Sequence, residues 1–529
     1  MSRRPASNAD VRVARDFHDE TTHSPSSVRT SGHTLDWDVK PLPFKIYADL
    51  PPVPLPREVD PLATDTLVAL GALPAPATAR PTLATLATLL YFSAGITKRR
   101  TYPGGGEVLF RAAPSTGALY QTEVYVAAGA VDDLDPGLYH FNPGDFALRQ
   151  VRAGDVRPVL ARAAADDALA RRAATLVLTA IYWRNTWKYQ ARAFRHLFWD
   201  SGTMLANVTA VGRVLGLAPA IVTGFVDPDV NRLLGIDPDR EATLELVAIG
   251  PDRTTDRVAD GGPADLVPIA HDVVPLSSRE VDYPLVREMY RASSLETPEA
   301  VRAWRAAAQR PGVGGDQPRA RRIVLPPARS HHGHGLGETI QRRGSTREFS
   351  HEPISLAELS TVLAVATRPI PADVGRSLVD VYLVANAVDG LPPGAYWYGP
   401  DAHALEEVRL GSFRNESAFL CLEQPLGGDA AAVLYFLSPL DGVLGVHGNR
   451  GYRLVNLQAG LAGGRAYLAA YGQGFGASGL TFYDQHVVRF FSPHASGKDA
   501  IFVTALGRSR TRVGSEQAII PVTSRLRRT

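Results

Sequence analysis

The hydrophobic and polar pattern of this chain runs twice. Val131-Asp132-Asp133-Leu134-Asp135-Pro136-Gly137-Leu138-Tyr139 returns as Val388-Asp389-Gly390-Leu391-Pro392-Pro393-Gly394-Ala395-Tyr396, an offset of 257 residues (388 − 131). The match continues through Ala147-Leu148 and Val151-Arg152, answered by Ala404-Leu405 and Val408-Arg409. In each copy a short apolar-aromatic run meets a turn, Asn142-Pro143-Gly144-Asp145 or Gly399-Pro400-Asp401, and then alternation resumes. That pattern predicts a β-hairpin. Phe194-Arg195 and Tyr452-Arg453 then open Ala/Leu-rich stretches that pass Gly202 and Gly460 and stop at Gly216 and Gly474. They predict two long helices, each closed by a C-terminal glycine. Each copy ends on an apolar strand before glycine, Leu244 to Gly250 and Ile501 to Gly507. Near the start of each copy, residues 82–90 and 355–363 predict a matching helix. The second carries Ser355 with Glu358 three residues on, the spacing of a capping box.

A repeat this long marks a duplication, not a solenoid. It predicts two related α+β domains, at 61–275 and 336–510, each of an ordinary domain size. Residues 1–60 are polar and then proline-studded, and Pro51, Pro52, Pro54 and Pro56 predict extended chain wrapped over a neighbour. His18 and His23 lie there with nothing beside them to complete a metal set. Residues 276–335 connect the copies. Within them 306–335 read as linker, and His331-His332-Gly333-His334 as a loop rather than a metal site. The tail 511–529, with Arg512, Arg525, Arg527 and Arg528, reads as a solvated end, as does Arg510 before it.

Composition narrows the class. With 45% hydrophobic and 21% charged residues the chain can build a sizeable core. A net charge of +2 argues against a surface built for nucleic acid or an anionic membrane. Cys421 is the single cysteine, so no disulfide framework or cysteine zinc site is expected, and no metal. No apolar run reaches membrane-spanning length, and Met1-Ser2-Arg3-Arg4-Pro5 leads into no apolar h-region. A cytoplasmic location is the expectation.

Candidate chemistry begins at Arg342-Arg343-Gly344-Ser345-Thr346-Arg347-Glu348-Phe349. Alternate side chains of an extended segment share a face. Arg343, Ser345 and Arg347 would therefore make a phosphate cradle, the alternative being a solvated basic loop. The duplication is unequal here. The first copy has 69–76 in place of the cradle, with no arginine, but carries Arg111-Ala112-Ala113-Pro114-Ser115-Thr116-Gly117. At the matching offset the second copy keeps Arg368 and then reads Pro371-Ala372-Asp373-Val374. Gly474 to Gly479 spell GxGxxG, but a helix precedes them and Leu480 to Tyr483 read as a strand, the reverse of a dinucleotide fold. Trp183-Arg184-Asn185-Thr186-Trp187-Lys188-Tyr189 carries a Lys-Tyr pair that is absent at Asn449-Arg450-Gly451.

These motifs, over most of residues 10–508, resemble a SagB/ThcOx-type dehydrogenase of the nitroreductase superfamily in a long tandem form. The resemblance implies two nitroreductase-like domains, each a central, mainly antiparallel sheet flanked by helices, forming an intramolecular pseudo-dimer. It implies FMN held between them by Arg343, Ser345 and Arg347 from one half and by Arg111, Pro114, Ser115 and Gly117 from the other. Ser478, Gly479 and Arg508 complete the cofactor set, with Lys188 and Tyr189 as the catalytic pair. The implied reaction oxidises a thiazoline or oxazoline in a modified peptide. The implied partners are a peptide or small-molecule substrate and a cyclodehydratase. The proline-rich lead shows no winged-helix pattern for reading a leader peptide. A flavin reductase of nitro or quinone compounds using NAD(P)H, or a flavin-binding scaffold, would share these motifs. Under this resemblance the complementary losses imply that only one of the two pseudo-symmetric sites is complete, and a monomeric pseudo-dimer or a higher oligomer is the expectation.

Overall fold

Two seven-stranded sheets repeat one another. The computed structural model describes residues 7–71, 75–101, 107–252, 266–269, 271–308 and 321–510. The first half contributes β1 (Pro52–Pro54), β2 (Ile96–Thr101), β3 (Glu107–Arg111), β4 (Thr122–Ala128), β5 (Gly137–Asn142), β6 (Ala147–Ala153), β7 (Ala174–Ile181), β8 (Ala220–Val222) and β9 (Glu241–Ile249). The second contributes β10 (Arg322–Val324), β11 (Ile354–Ser355), β12 (Asp380–Ala385), β13 (Val388–Asp389), β14 (Gly394–Gly399), β15 (Ala404–Leu410), β16 (Ala432–Ser438), β17 (Gly476–Gly479) and β18 (Asp499–Gly507). The sheets run β1-β6-β5-β4-β7-β9-β8 and β10-β15-β14-β12-β16-β18-β17, one topology twice. Every pairing within them is antiparallel. The predicted hairpins are β5–β6 and β14–β15, and the predicted closing strands are β9 and β18. β4, β7 and β9 are buried along their whole length, which suits their near-continuous apolar sequences.

The halves meet along two long, almost wholly buried helices, Ala193–Val214 and Arg450–Gly472. Gly202 and Gly460 set the closeness of their crossing. A Cβ on Gly202 would stand 2.4 Å from the Leu457 carbonyl oxygen, and one on Gly460 would stand 2.4 Å from that of Trp199. Any side chain there would force the helices apart. Both helices stop two residues before a left-handed glycine, Gly216 (φ 70°) and Gly474 (φ 83°), as the sequence predicts.

The lead is not all extended. Arg12–Glu20 and Pro25–Thr30 are helical. The first helix buries Ala14, Phe17 and His18, three residues on one helical face. The Ala14 amide donates to Asn449 Oδ1 of the second half at 3.0 Å. The proline stretch holds β1, which pairs with β6 and forms the edge of the first sheet. The connecting segment holds helices Pro284–Ala292 and Pro298–Ala308 and the edge strand β10, so it is more ordered than a linker. The tail arginines beyond Arg510 lie outside the described residues. Among the described residues no helix is long and apolar enough to cross a membrane.

Candidate functional site

The cradle segment 343–347 leaves helix Leu336–Arg342 and runs irregularly to β11. The next helix, Leu356–Ala366, opens with the predicted capping box. The Ser355 amide donates to Glu358 Oε2 at 2.7 Å, and the Glu358 amide donates to Ser355 Oγ at 3.2 Å. The Thr346 amide donates to the Ala477 carbonyl at 2.9 Å, fixing the cradle against β17. Arg343 does not present an open fork. It is buried and crosses to the first domain, where Nε donates to the Ala112 carbonyl at 3.0 Å and Nη2 to the Arg111 carbonyl at 2.9 Å. Lys98, on β2, answers from the first domain and donates to the carbonyls of Arg342 (2.7 Å) and Arg343 (2.8 Å). Burial and then the charges of Arg343 and Arg342 pull its pKa down to about 7. Ser345 Oγ lies 3.2 Å from the Tyr467 hydroxyl, which also accepts from the Gly479 amide. Arg347 is exposed and makes no hydrogen bond or ion pair among the described residues.

The first-domain wall is the loop after β3. Thr203 Oγ1 donates to the Pro114 carbonyl at 2.9 Å. The side chains of Arg111 and Ser115, predicted as cofactor contacts, are turned into the first domain instead. The Arg111 guanidinium donates to the carbonyls of Pro43 (2.5 Å) and Thr122 (3.4 Å) and lies over the Tyr120 ring. Its burial lowers its pKa to about 10. Ser115 Oγ donates to Asp200 Oδ2 at 2.6 Å and accepts from the Tyr120 amide at 2.9 Å. A buried fork and a buried hydroxyl must find acceptors, and the first domain supplies them. Gly117 is required twice over. Its φ is +68°, and a Cβ would stand 2.8 Å from the Tyr189 hydroxyl. Tyr189 therefore rests on the loop.

Lys188 and Tyr189 end the helix Tyr182–Tyr189. Lys188 Nζ lies 5.4 Å from the Tyr189 ring centre. Burial lowers the Lys188 pKa, and Arg347 lowers it further. Burial and then Asp200 raise the Tyr189 pKa, while Arg347 opposes them. The catalytic candidates of the first domain and the free cradle arginine of the second thus share one locus. Ser478 is buried, and its hydroxyl has no partner. Gly479, its neighbour, is exposed. The strand of this segment is Gly476–Gly479 itself, not the residues after it. Arg508 is bound to the capping carboxylate, with Nη2 2.8 and 2.9 Å from the Glu358 oxygens, so its charge is already paired.

The pseudo-symmetric side is built differently. There the loop at 371–374 is stitched to β8. The Ile221 amide donates to the Pro371 carbonyl at 2.7 Å, and the Asp373 amide returns to the Ile221 carbonyl at 3.1 Å. The Thr223 and Gly224 amides donate to the Asp373 carboxylate at 2.9 and 2.8 Å. On the side of the cradle no hydrogen bond joins 114–117 to β17 among the described residues. The Gly479 amide, counterpart of Ile221 by strand register, turns to Tyr467 instead. Arginines do gather on the closed side, though not at cradle positions. Arg465 donates to the carbonyls of Arg368 and Pro369, as Arg343 does to those of Arg111 and Ala112. Burial and the charges of Arg213 and Arg368 lower its pKa to about 9.

Two copies of one antiparallel sheet, joined through paired central helices with a cationic seam on one side, define a tandem α+β fold. Residues 77–250 and 340–507 each match the nitroreductase family, and the chain belongs to that family. A nitroreductase-like crystal structure from Anabaena variabilis is similar over 94% of this chain and 99% of its own, at 27% identity and a TM-score of 0.73. The nitroreductase-like protein MJ1384 of Methanocaldococcus jannaschii is 27% identical over 161 residues, 29% of this chain and 81% of that protein. McbC, the microcin B17-processing protein of Escherichia coli, is 26% identical over 143 residues, 26% of this chain and 53% of that protein. The match thus spans about half the length of McbC. The tandem nitroreductase resemblance seen in the sequence is borne out, and the McbC relative supports its SagB-type side. Proteins of this family generally bind FMN.

Lys98, Asp200 and Tyr467 were not legible as site residues. Lys98 sits in the basic run Thr97-Lys98-Arg99-Arg100, which was a usable signal. Asp200 and Tyr467 are two among several buried polar residues of the central helices and acquire their roles only through packing.

Proposed function

We propose that the chain is an FMN-dependent oxidoreductase with one flavin in the open seam, and that it oxidises an azoline ring of a peptide to the azole. One observation carries the flavin site. Cations of the two domains meet along the cradle: Lys98 holds the carbonyls of Arg342 and Arg343, Arg343 crosses to the carbonyls of Arg111 and Ala112, and Arg347 lies close enough to Lys188 to lower its pKa beyond the effect of burial. Cations pressed together in this way fit an anion such as a flavin phosphate. The donor set suits the group further. The Ser478 hydroxyl is buried without a partner, and Gly479 beside it is exposed and carries no side chain of its own. Arg347 and Ser345 would contact the cofactor directly. Arg343 and Lys98 would hold the two walls in register.

When bound, FMN supplies the hydride acceptor, with an oxidant such as dioxygen taking the electrons onward. The residues handle the proton. Converting an azoline to an azole removes one proton and one hydride from the ring. Lys188, its pKa lowered by burial and by Arg347, would accept the proton at Nζ in its neutral form. Tyr189, kept protonated by burial, would donate a hydrogen bond from its hydroxyl beside Gly117. The similarity to McbC supports a peptide substrate, and a cyclodehydratase is the partner class that would make the azoline.

The test is direct. Purified protein should carry a flavin that mass spectrometry identifies as FMN. It should oxidise an azoline-bearing peptide without added NAD(P)H. Consumption of NAD(P)H with nitro or quinone compounds alone would instead favour a flavin reductase. Bound flavin with neither turnover would mark a scaffold.

A further inference from the structure

Asp200 lies in the middle of the first central helix, buried, with both oxygens turned to the 114–117 loop. Four donors converge on it. They are the Ser115 hydroxyl at 2.6 Å, the Thr116 amide at 2.8 Å, the Thr116 hydroxyl at 2.8 Å and the Gln121 amide at 2.6 Å. All four are neutral, and burial pushes its pKa up to about 6. A buried carboxylate without an ion partner is unfavourable, and here hydrogen bonds from the loop and Gln121 offset that cost.

The second half shows the loop arranged otherwise. At the matching helix position stands Gln458, an offset of 258 residues (458 − 200). Its oxygen accepts from the Leu378 amide at 2.7 Å, and its nitrogen donates to the carbonyls of Arg376 (2.9 Å) and Val374 (3.2 Å). In that half the carboxylate belongs to the loop. Asp373 reaches outward to Thr223 and Gly224 after β8, and the loop is joined across the seam. A carboxylate on the helix draws the loop back, whereas one on the loop carries it over.

We infer that Asp200 is a positioning residue that ties the 114–117 loop to the first central helix and so keeps it from bonding to β17 across the seam. The geometry stands on its own, while the consequence for cofactor binding rests on the proposed flavin site. The test uses full-length protein freed of flavin, at pH 8, where the carboxylate is charged. Asp200→Asn should speed amide hydrogen exchange across 113–120 by about 10- to 100-fold while β18 keeps its protection. FMN titrated into the same variant should bind more weakly by a similar factor, about 10- to 100-fold. Loop exchange at the parental rate overturns the inference. If Asp200→Asn does not fold, Thr116→Val removes one donor and leaves the carboxylate in place. It should show the same loop-confined rise, and its absence is equally fatal. Failure of the parental protein to bind FMN would refute the flavin site, and loop exchange alone would then decide the role of Asp200.

Discussion

Arg195 of the first central helix donates from Nη1 to Oδ1 of Asp484 in the second domain at 2.6 Å, and both side chains are buried. Arg192 joins it at 3.0 Å from Oδ2. The arrangement recurs across the pseudo-axis. Arg450 and Arg453 of the second central helix each hold Asp227 of the first domain at 2.6 Å. Each carboxylate belongs to one domain and its arginines to the other, so neither half completes its own interior. This is the polar counterpart of the glycine crossing at Gly202 and Gly460. Together they make the pair of domains one folding unit.

Asp484→Asn should cost about 3–5 kcal/mol of stability, because it leaves two buried guanidinium groups facing a neutral amide. Urea unfolding measures this, and Asp227→Asn should lose a similar amount. The acid dependence has a definite sign. Burial opposes the charge of Asp484, but Arg192 and Arg195 outweigh it and hold the pKa at about 2, below the ordinary 3.8. A depressed carboxyl contributes its full stability above its unfolded pKa and loses it as pH falls through the folded one. The parental protein should therefore lose this contribution between about pH 4 and pH 2, whereas the variant should show a shallower loss there. Parallel acid curves for the two proteins would contradict the assignment.

Arg343 and Arg347 should separate into different phenotypes, although the sequence places them as equals. Arg343→Ala removes two bonds to the carbonyls of Arg111 and Ala112 and should lower the melting temperature of flavin-free protein. Arg347→Ala touches no such bond and should leave that temperature unchanged. Both should weaken FMN binding, Arg347→Ala by the roughly 1.5–3 kcal/mol of a charge-assisted hydrogen bond. Isothermal titration with FMN, set beside calorimetric melting, checks the split. Equal melting losses in the two variants would refute it.

Lys188→Ala should retain flavin and lose about 10²- to 10⁴-fold in substrate oxidation, as expected for a missing general base. A colourless variant would instead place Lys188 in the cofactor site or the fold. The pH profile adds a second check. A base must be neutral to act, so activity should rise with pH on a limb below the ordinary lysine value of 10.5. Arg347→Ala removes a repelling charge, so the same limb should move to higher pH. A limb that stays in place or moves down would disconnect Lys188 from that step.

Much of this fold is written in local pattern. The hairpins, the closing strands, the glycines at 216 and 474 and the Ser355–Glu358 box each depend on neighbours in sequence, and each is found where its pattern lies. The helix Arg12–Glu20 was missed because its buried face is completed by Asn449 and Tyr452, more than four hundred residues away. The cradle was legible as a motif but not as geometry. Nothing in Arg343-Gly344-Ser345-Thr346-Arg347 shows that the first arginine would be clamped on carbonyls and the last left free. Asp200 shows the same limit. As one acid on an apolar helix it has no signature, and its role becomes visible only beside Gln458, where the duplication serves as an internal comparison.

The chain should bind one FMN, not two. On the cradle side Arg347 is free, and no hydrogen bond joins the 114–117 loop to β17 among the described residues. On the other side the matching loop and β8 are bonded together through Pro371, Ile221, Asp373 and Thr223. A flavin entering there would have to break those bonds before making any of its own. The arginines present, Arg368 and Arg465, are engaged by the carbonyls of Gly71, Arg368 and Pro369 and would have to release them. Forfeiting even two such interactions, at about 1.5–3 kcal/mol each, lowers affinity by roughly two to four orders of magnitude. Flavin released by denaturation, counted against protein after reconstitution in excess FMN, should give a ratio near one. It should remain near one in Asp373→Ala, because the backbone pairing of Ile221 with the loop survives that change. A ratio near two in the parental protein would show that the stitched side opens and that the two halves work as equals.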